Sequence, residues 1–153
     1  MSKRLAELVG NVVLAWGGME QQLHSLIRMM EQARGEPFTN QRAFARRMVI
    51  FRRLCNDLTN GDGAFLSDFD QFRNKLKNLE RDRGVIAHGW AGPRKGGSYF
   101  VSMRALWSAT PTQPPDTPYF SYQELAQLEA DIHAAKESMA RLCSEAVELH
   151  PGP

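Results

Sequence analysis

The sequence predicts an all-α protein, an antiparallel four-helix bundle with a short β-hairpin or extended insertion before the last helix. Three observations carry that prediction. Apolar residues recur in alternating steps of three and four along four separate segments, the spacing that lines one face of a helix. Turn-forming glycine, asparagine, aspartate and proline separate those segments. Only residues 91–120 break the pattern, with glycines, prolines and aromatic or β-branched residues. At 153 residues the chain is long enough to bury a core without disulfides or metals. Residues 1–150 therefore read as one helical domain carrying the insertion.

The first helix is predicted from about Ser2 to Gln32 or Ala33. Leu5, Leu8, Val12, Trp16, Met19, Leu23, Leu26 and Met30 form its apolar face, and Gly35 closes it. Gly17-Gly18 lowers the helix propensity midway and allows a bend or a close helix approach. Glu20 and His24 stand one turn apart, a spacing that fits a surface pair better than a metal site. Pro37-Phe38-Thr39-Asn40 connects to a second helix expected over Gln41–Leu58, with Thr39 or Asn40 as its cap. Its core face reads Phe44, Met48, Phe51, Cys55 and Leu58. Arg42, Arg46 and Arg53 lie within about 40° of one another on the opposite face, with Arg47 and Arg52 on the flanks. No acid interrupts them before Asp57. Such a ridge suits a phosphate backbone, or else pairs with acids of the last helix or of a partner chain.

Asn60-Gly61-Asp62-Gly63 is a turn, and Ser67 with Asp70 resembles a capping box for the third helix. Phe69, Phe72, Leu76, Leu79 and Ile86 form its stripe, in which Arg83 holds one position. Arg73, Lys75 and Lys77 make the approach to its end cationic. That end, from Leu79 through Arg81, Asp82, Arg83 and His88 to Gly89, gathers the residues best suited to chemistry. At about 100° per residue, Arg81 and His88 stay nearly in line on the face away from the stripe. Arg83 points toward the seam and joins them only if the helix loosens near Gly84.

Ala91 to Ser98 reads as a glycine-rich loop and Tyr99 to Trp107 as an extended segment. The glycine pair is no phosphate-binding loop, because neither a strand-to-helix frame nor a Gly-Lys-Ser/Thr ending surrounds it. Pro111 to Pro118 is an expected surface loop. The last helix opens on the capping box Ser121-Tyr122-Gln123-Glu124 and carries Leu125, Leu128, Ile132, Ala135, Met139, Leu142, Ala146 and Leu149 in strict three-four steps.

Composition is ordinary for a globular chain, with 42% hydrophobic and 24% charged residues. A net charge of +2 is too small to imply nucleic-acid binding by itself, so any such case rests on where the charges lie. Cys55 and Cys143 lack metal-like spacing and read as free buried thiols of a reducing compartment. No signal-peptide pattern opens the chain and no run is long enough to span a bilayer, so a cytoplasmic location without membrane contact is expected.

An arginine, four to six residues and then a histidine, near the end of the third helix of a small all-α chain, resembles the HEPN superfamily (higher eukaryotes and prokaryotes nucleotide-binding domains). Two registers fit. Arg83 to His88 has the four-residue spacing and an Ala-His-Gly ending, with Gly84 where the family prefers a polar residue. Arg81-Asp82 followed by His88 has the six-residue spacing and supplies that polar residue. The resemblance implies a metal-independent endoribonuclease that needs no cofactor, built from two copies of the motif across a homodimer. His88 would be its general acid/base, Arg83 or Arg81 its phosphate ligand and Asp82 an orienter, with Arg42, Arg46, Arg53 and Lys77 on the RNA. A toxin-antitoxin or phage-defence setting, with an antitoxin protein as partner, fits the same resemblance. Two other readings stay open: a non-catalytic module binding nucleotide, RNA or protein, and a helical adaptor that dimerises through its last helix.

Overall fold

Four helices and three strands follow one another among the described residues: α1 (Lys3–Arg34), α2 (Phe44–Leu58), α3 (Gly63–His88), β1 (Gly89–Arg94), β2 (Gly97–Ser102), β3 (Tyr119–Ser121) and α4 (Tyr122–Glu148). The computed structural model describes residues 2–94, 96–102 and 118–151, with backbone alone for 89–94 and 101–102. The chain is thus mostly helical, with a small antiparallel sheet ahead of the last helix. It divides into two compact units, Met1–Trp16 with Lys77–Ile132, and Gly17–Leu76 with His133–Pro153.

In the first unit, Leu5, Val12, Trp16, Ile86, Phe100, Leu125 and Ile132 are buried. Ser2 caps α1, its Oγ accepting the Leu5 N–H at 3.2 Å. The Arg4 guanidinium stands 4.9 Å from the centre of the Tyr122 ring. β1 and β2 pair from Gly89 opposite Ser102 to Arg94 opposite Gly97, and β3 adds to the other side of β2. Residues 91–94, expected as loop, are therefore strand. Their composition is poor in β-formers, but pairing with Gly97–Phe100 supplies the backbone partners that a loop would have to find in water. Gly97 is the residue that lets β3 approach. A Cβ there would run into the Phe120 carbonyl oxygen and the Tyr119 ring. Phe100 meets Phe120 edge-on at 5.8 Å between ring centres. Of the expected extended segment, Tyr99–Ser102 is strand; residues 103–107 and the proline-rich stretch 111–117 lie outside the described residues.

The α4 capping box forms as expected. The Ser121 N–H donates to Glu124 Oε2 at 2.7 Å, and the Glu124 N–H donates to Ser121 Oγ at 3.1 Å. Hydrogen bonding to the ionised carboxylate, first from the Ser121 backbone N–H and then from its hydroxyl, holds Glu124 below its ordinary value. The stabilisation is therefore complete above the usual carboxylate range and is lost as pH falls through the lowered value. Ser121→Ala is expected to cost about 1 kcal/mol near neutral pH. The gap between wild type and Glu124→Ala should narrow as the pH is lowered from neutrality through the carboxylate range, and urea melts at each end check both.

In the second unit, α2 begins at Phe44, three residues later than expected, and its N-cap, Ala43, makes no side-chain cap bond. Thr39 does not cap it. Its N–H donates instead to both carboxylate oxygens of Glu31, at 2.9 and 3.1 Å, and Glu31 is 1% exposed. A buried carboxylate must be hydrogen-bonded, and this contact holds the connector against α1. The Arg28 guanidinium over Phe38, at 4.3 Å, holds it again. Gly35 closes α1 at φ 65°. α3 starts at Gly63 rather than near Ser67, capped by Asp62, whose Oδ1 accepts the Phe65 N–H at 2.8 Å. Asp62 stands where the turn ends, so its side chain reaches the free amides of the first turn, while Ser67 and Asp70 lie inside the helix. Phe44, Met48, Phe51, Leu54, Cys55 and Leu58 of α2 are buried, as are Phe69 and Leu76 of α3.

Among the described residues no helix is long and apolar enough to cross a membrane.

Candidate active site at the end of helix α3

Helix α3 runs without interruption from Gly63 through Gly84 to His88. Gly84 does not break it, since one glycine costs only about 1 kcal/mol against alanine and the turns on either side carry it through. A continuous helix separates the candidates by face. Arg81 and His88 are both exposed and, seven residues apart, lie nearly in line. Arg83 faces elsewhere, half-buried, with its guanidinium carbon 4.7 Å from the centre of the Trp16 ring. Asp82 binds Arg81, Oδ1 accepting from Nε at 2.9 Å. The Arg81 side chain is 69% exposed and that of Asp82 30%. His88 closes the last turn, where a cation is favoured by the helix dipole.

This arrangement offers an accessible imidazole for proton transfer and, on the same face, a guanidinium steadied by its neighbour. Arg83 is placed to brace α3 against Trp16. The two arginines should therefore separate in stability measurements. Arg83→Ala is expected to cost about 1–2 kcal/mol, by loss of a desolvated cation–π contact and its packing. Arg81→Ala should stay within about 0.5 kcal/mol of wild type, as denaturant melts of the two variants would show.

Of the arginines expected on the second helix, Arg42 lies in the connector, because α2 starts only at Phe44, and so does not share a helix face with Arg46 and Arg53; the others divide into two groups. Arg53 Nη2 lies 3.0 Å from Glu36 Oε2 and Nη1 lies 3.1 Å from Asp57 Oδ2. Arg34 joins the same cluster through Glu36 at 2.6 Å. Arg52 grips Asp70 with two bonds, at 2.8 and 3.0 Å. The hydrogen bonds from Arg53 and then Arg34 hold the Glu36 carboxyl below its ordinary value. The acids come from the connector, from α2 and from α3, not from the last helix. Arg42 and Arg46 are exposed and form no ion pair among the described residues. Arg47 donates from Nε to the Gln41 carbonyl at 2.6 Å. Lys77, on α3, is exposed.

Cys55 and Cys143 are free and fully buried. Burial pushes the Cys143 thiol up to about 11 and Cys55 higher still, so neither is a thiolate nucleophile at neutral pH. The stacking of Arg83 on Trp16 had no signal in the sequence, because a contact across so many residues leaves no periodic trace. Comparison with protein-family models, curated proteins and solved structures finds no match to this chain.

Proposed function

We propose that this chain is a metal-independent endoribonuclease of the HEPN kind, a four-helix antiparallel bundle that acts as a homodimer with the ends of two α3 helices facing one another. The observation that supports it is the shared outward exposure of Arg81 and His88 on one unbroken helix, while Arg83 packs on Trp16. The six-residue register, Arg81-Asp82 with His88, forms the motif in this reading.

In this reading His88 of one protomer takes the proton of the RNA 2′-hydroxyl as the 2′-oxygen attacks phosphorus. The bond from phosphorus to the 5′-oxygen breaks, and the leaving oxygen receives a proton from the partner subunit's His88. Arg81 stabilises the extra charge on the phosphoryl oxygens, held by Asp82, and the site is complete only with two copies. The products are a 2′,3′-cyclic phosphate and a 5′-hydroxyl. Arg42, Arg46 and Lys77 follow the RNA backbone. Arg53 does so less, because Glu36 and Asp57 offset its charge. A cytoplasmic toxin or phage-defence role, with an antitoxin as partner, belongs to the same proposal.

The test is cleavage of a labelled structured RNA in excess chelator, comparing wild type with His88→Ala. Chelator-resistant cleavage that is lost in the variant supports the reading; cleavage that survives it sinks the reading. The second reading, RNA binding without catalysis, draws on Arg42 and Arg46 having no ion pair among the described residues, and an inert wild type that retains RNA would favour it.

A further inference from the structure

We propose that the groove between α1 and α2 in the second unit binds one nucleotide of an RNA strand, with its phosphate on Arg47 and His24. The groove has a volume of about 560 Å³ and is lined by Gly17, Glu20, Gln21, His24, Ser25 and Arg47. That size suits a small polar ligand.

Three features converge there. The first is an anchored cation. The Nε bond to the Gln41 carbonyl fixes the Arg47 guanidinium before any ligand arrives, and Arg47 and His24 form no ion pair among the described residues. The contrast lies within one helix. Arg52 and Arg53 are matched by acids, whereas Arg47, which lines the groove, forms no ion pair among the described residues. The second feature is Gly17. A Cβ at this position would meet nothing within 4 Å, so the missing side chain widens the groove and serves no packing need. The third is Glu20, a carboxylate that repels a bare phosphate. The Gln21 side-chain amide oxygen beside it accepts hydrogen bonds from ribose hydroxyls or base amino groups. A nucleotide presents an anionic phosphate and such donors a few ångströms apart; inorganic phosphate presents only the charge.

The choice of RNA over a free nucleotide rests on the nuclease reading, but the site itself does not involve His88. Binding of a labelled RNA oligonucleotide is measured by fluorescence anisotropy with the full chain carrying His88→Ala, so that nothing is cleaved. Adding Gly17→Met is expected to weaken binding at least tenfold without lowering the melting temperature, since methionine fills the groove and favours helix. Adding Arg47→Gln should weaken it comparably and reduce the salt slope by about one. Adenosine monophosphate should compete, and inorganic phosphate at the same concentration should not. Unchanged RNA affinity in both groove variants overturns the site. Equal competition by phosphate overturns the nucleotide assignment, and binding of the monophosphate without RNA overturns the RNA assignment. Wild type that fails to cleave while Gly17→Met loses RNA leaves the groove standing and removes only the nuclease.

Discussion

RNA cleavage by the His88→Ala variant is expected to fall by about two to four orders of magnitude, the range that a positioned general acid/base contributes. The effect should lie toward the upper end, because the proposed homodimer would place one histidine at each end of the reaction and the substitution would remove both. Exposure works in favour of this outcome. An imidazole buried against a backbone carbonyl would be a structural cap, whereas His88 is open to solvent at the last residue of α3. Arg81→Ala should cost about 10²–10³ in rate, in line with losing one donor to a charged transition state. Arg81→Lys should recover only part of it, since an ammonium cannot reproduce the planar fork. Arg83→Ala should lower stability more than it lowers rate in the folded protein. The reverse result, full activity in Arg81→Ala and none in a folded Arg83→Ala, would overturn the pairing of Arg81 with His88. Product ends separate this chemistry from metal-assisted hydrolysis, which leaves no cyclic phosphate.

The helices were legible because their signals are local and periodic. The stripe from Phe44 to Leu58 predicted the buried face of α2, where the structure adds only Leu54. Ser121 and Glu124 announced their own reciprocal bonds. Boundaries that depend on tertiary partners were not legible. Thr39 is a good cap by residue type, yet α2 starts only at Phe44 and the Thr39 amide ties the connector to Glu31 of the preceding helix. Ser67 and Asp70 have capping-box spacing, but Asp62 stands closer to the turn and Asp70 goes to Arg52. Residues 91–94 are strand only because Gly97–Phe100 lie opposite. At the candidate site, the faces of Arg81 and His88 followed from helical geometry. The anchor of Arg83 on Trp16 did not, and neither did the approach of Arg47 to the Glu20 and His24 turn, since both join residues distant in the chain.

Phe69→Ala is expected to destabilise the second unit by about 3–5 kcal/mol, the range for deleting a buried aromatic ring. Phe69 is 0% exposed and holds two other rings, Phe51 at 5.4 Å and Phe72 at 6.2 Å between ring centres. Its removal therefore takes away the hydrophobic burial of a phenyl group and two aromatic contacts, each worth about 0.5–1.5 kcal/mol. The cavity would lie where α2 meets α3, and Phe51 cannot move into it without giving up its own buried position. Phe72→Ala should cost less, because Phe72 is 9% exposed and its vacated space can admit water or a neighbouring side chain. Against a total stability of about 5–15 kcal/mol, the Phe69 loss is large enough to lower the melting temperature by roughly 10 °C. Urea unfolding of both variants, with hydrogen exchange at the α2 amides, measures it. A Phe69→Ala cost no greater than that of Phe72→Ala would show that the α2–α3 contact can collapse around the missing ring. Phe69 would then fill space without fixing how these two helices pack.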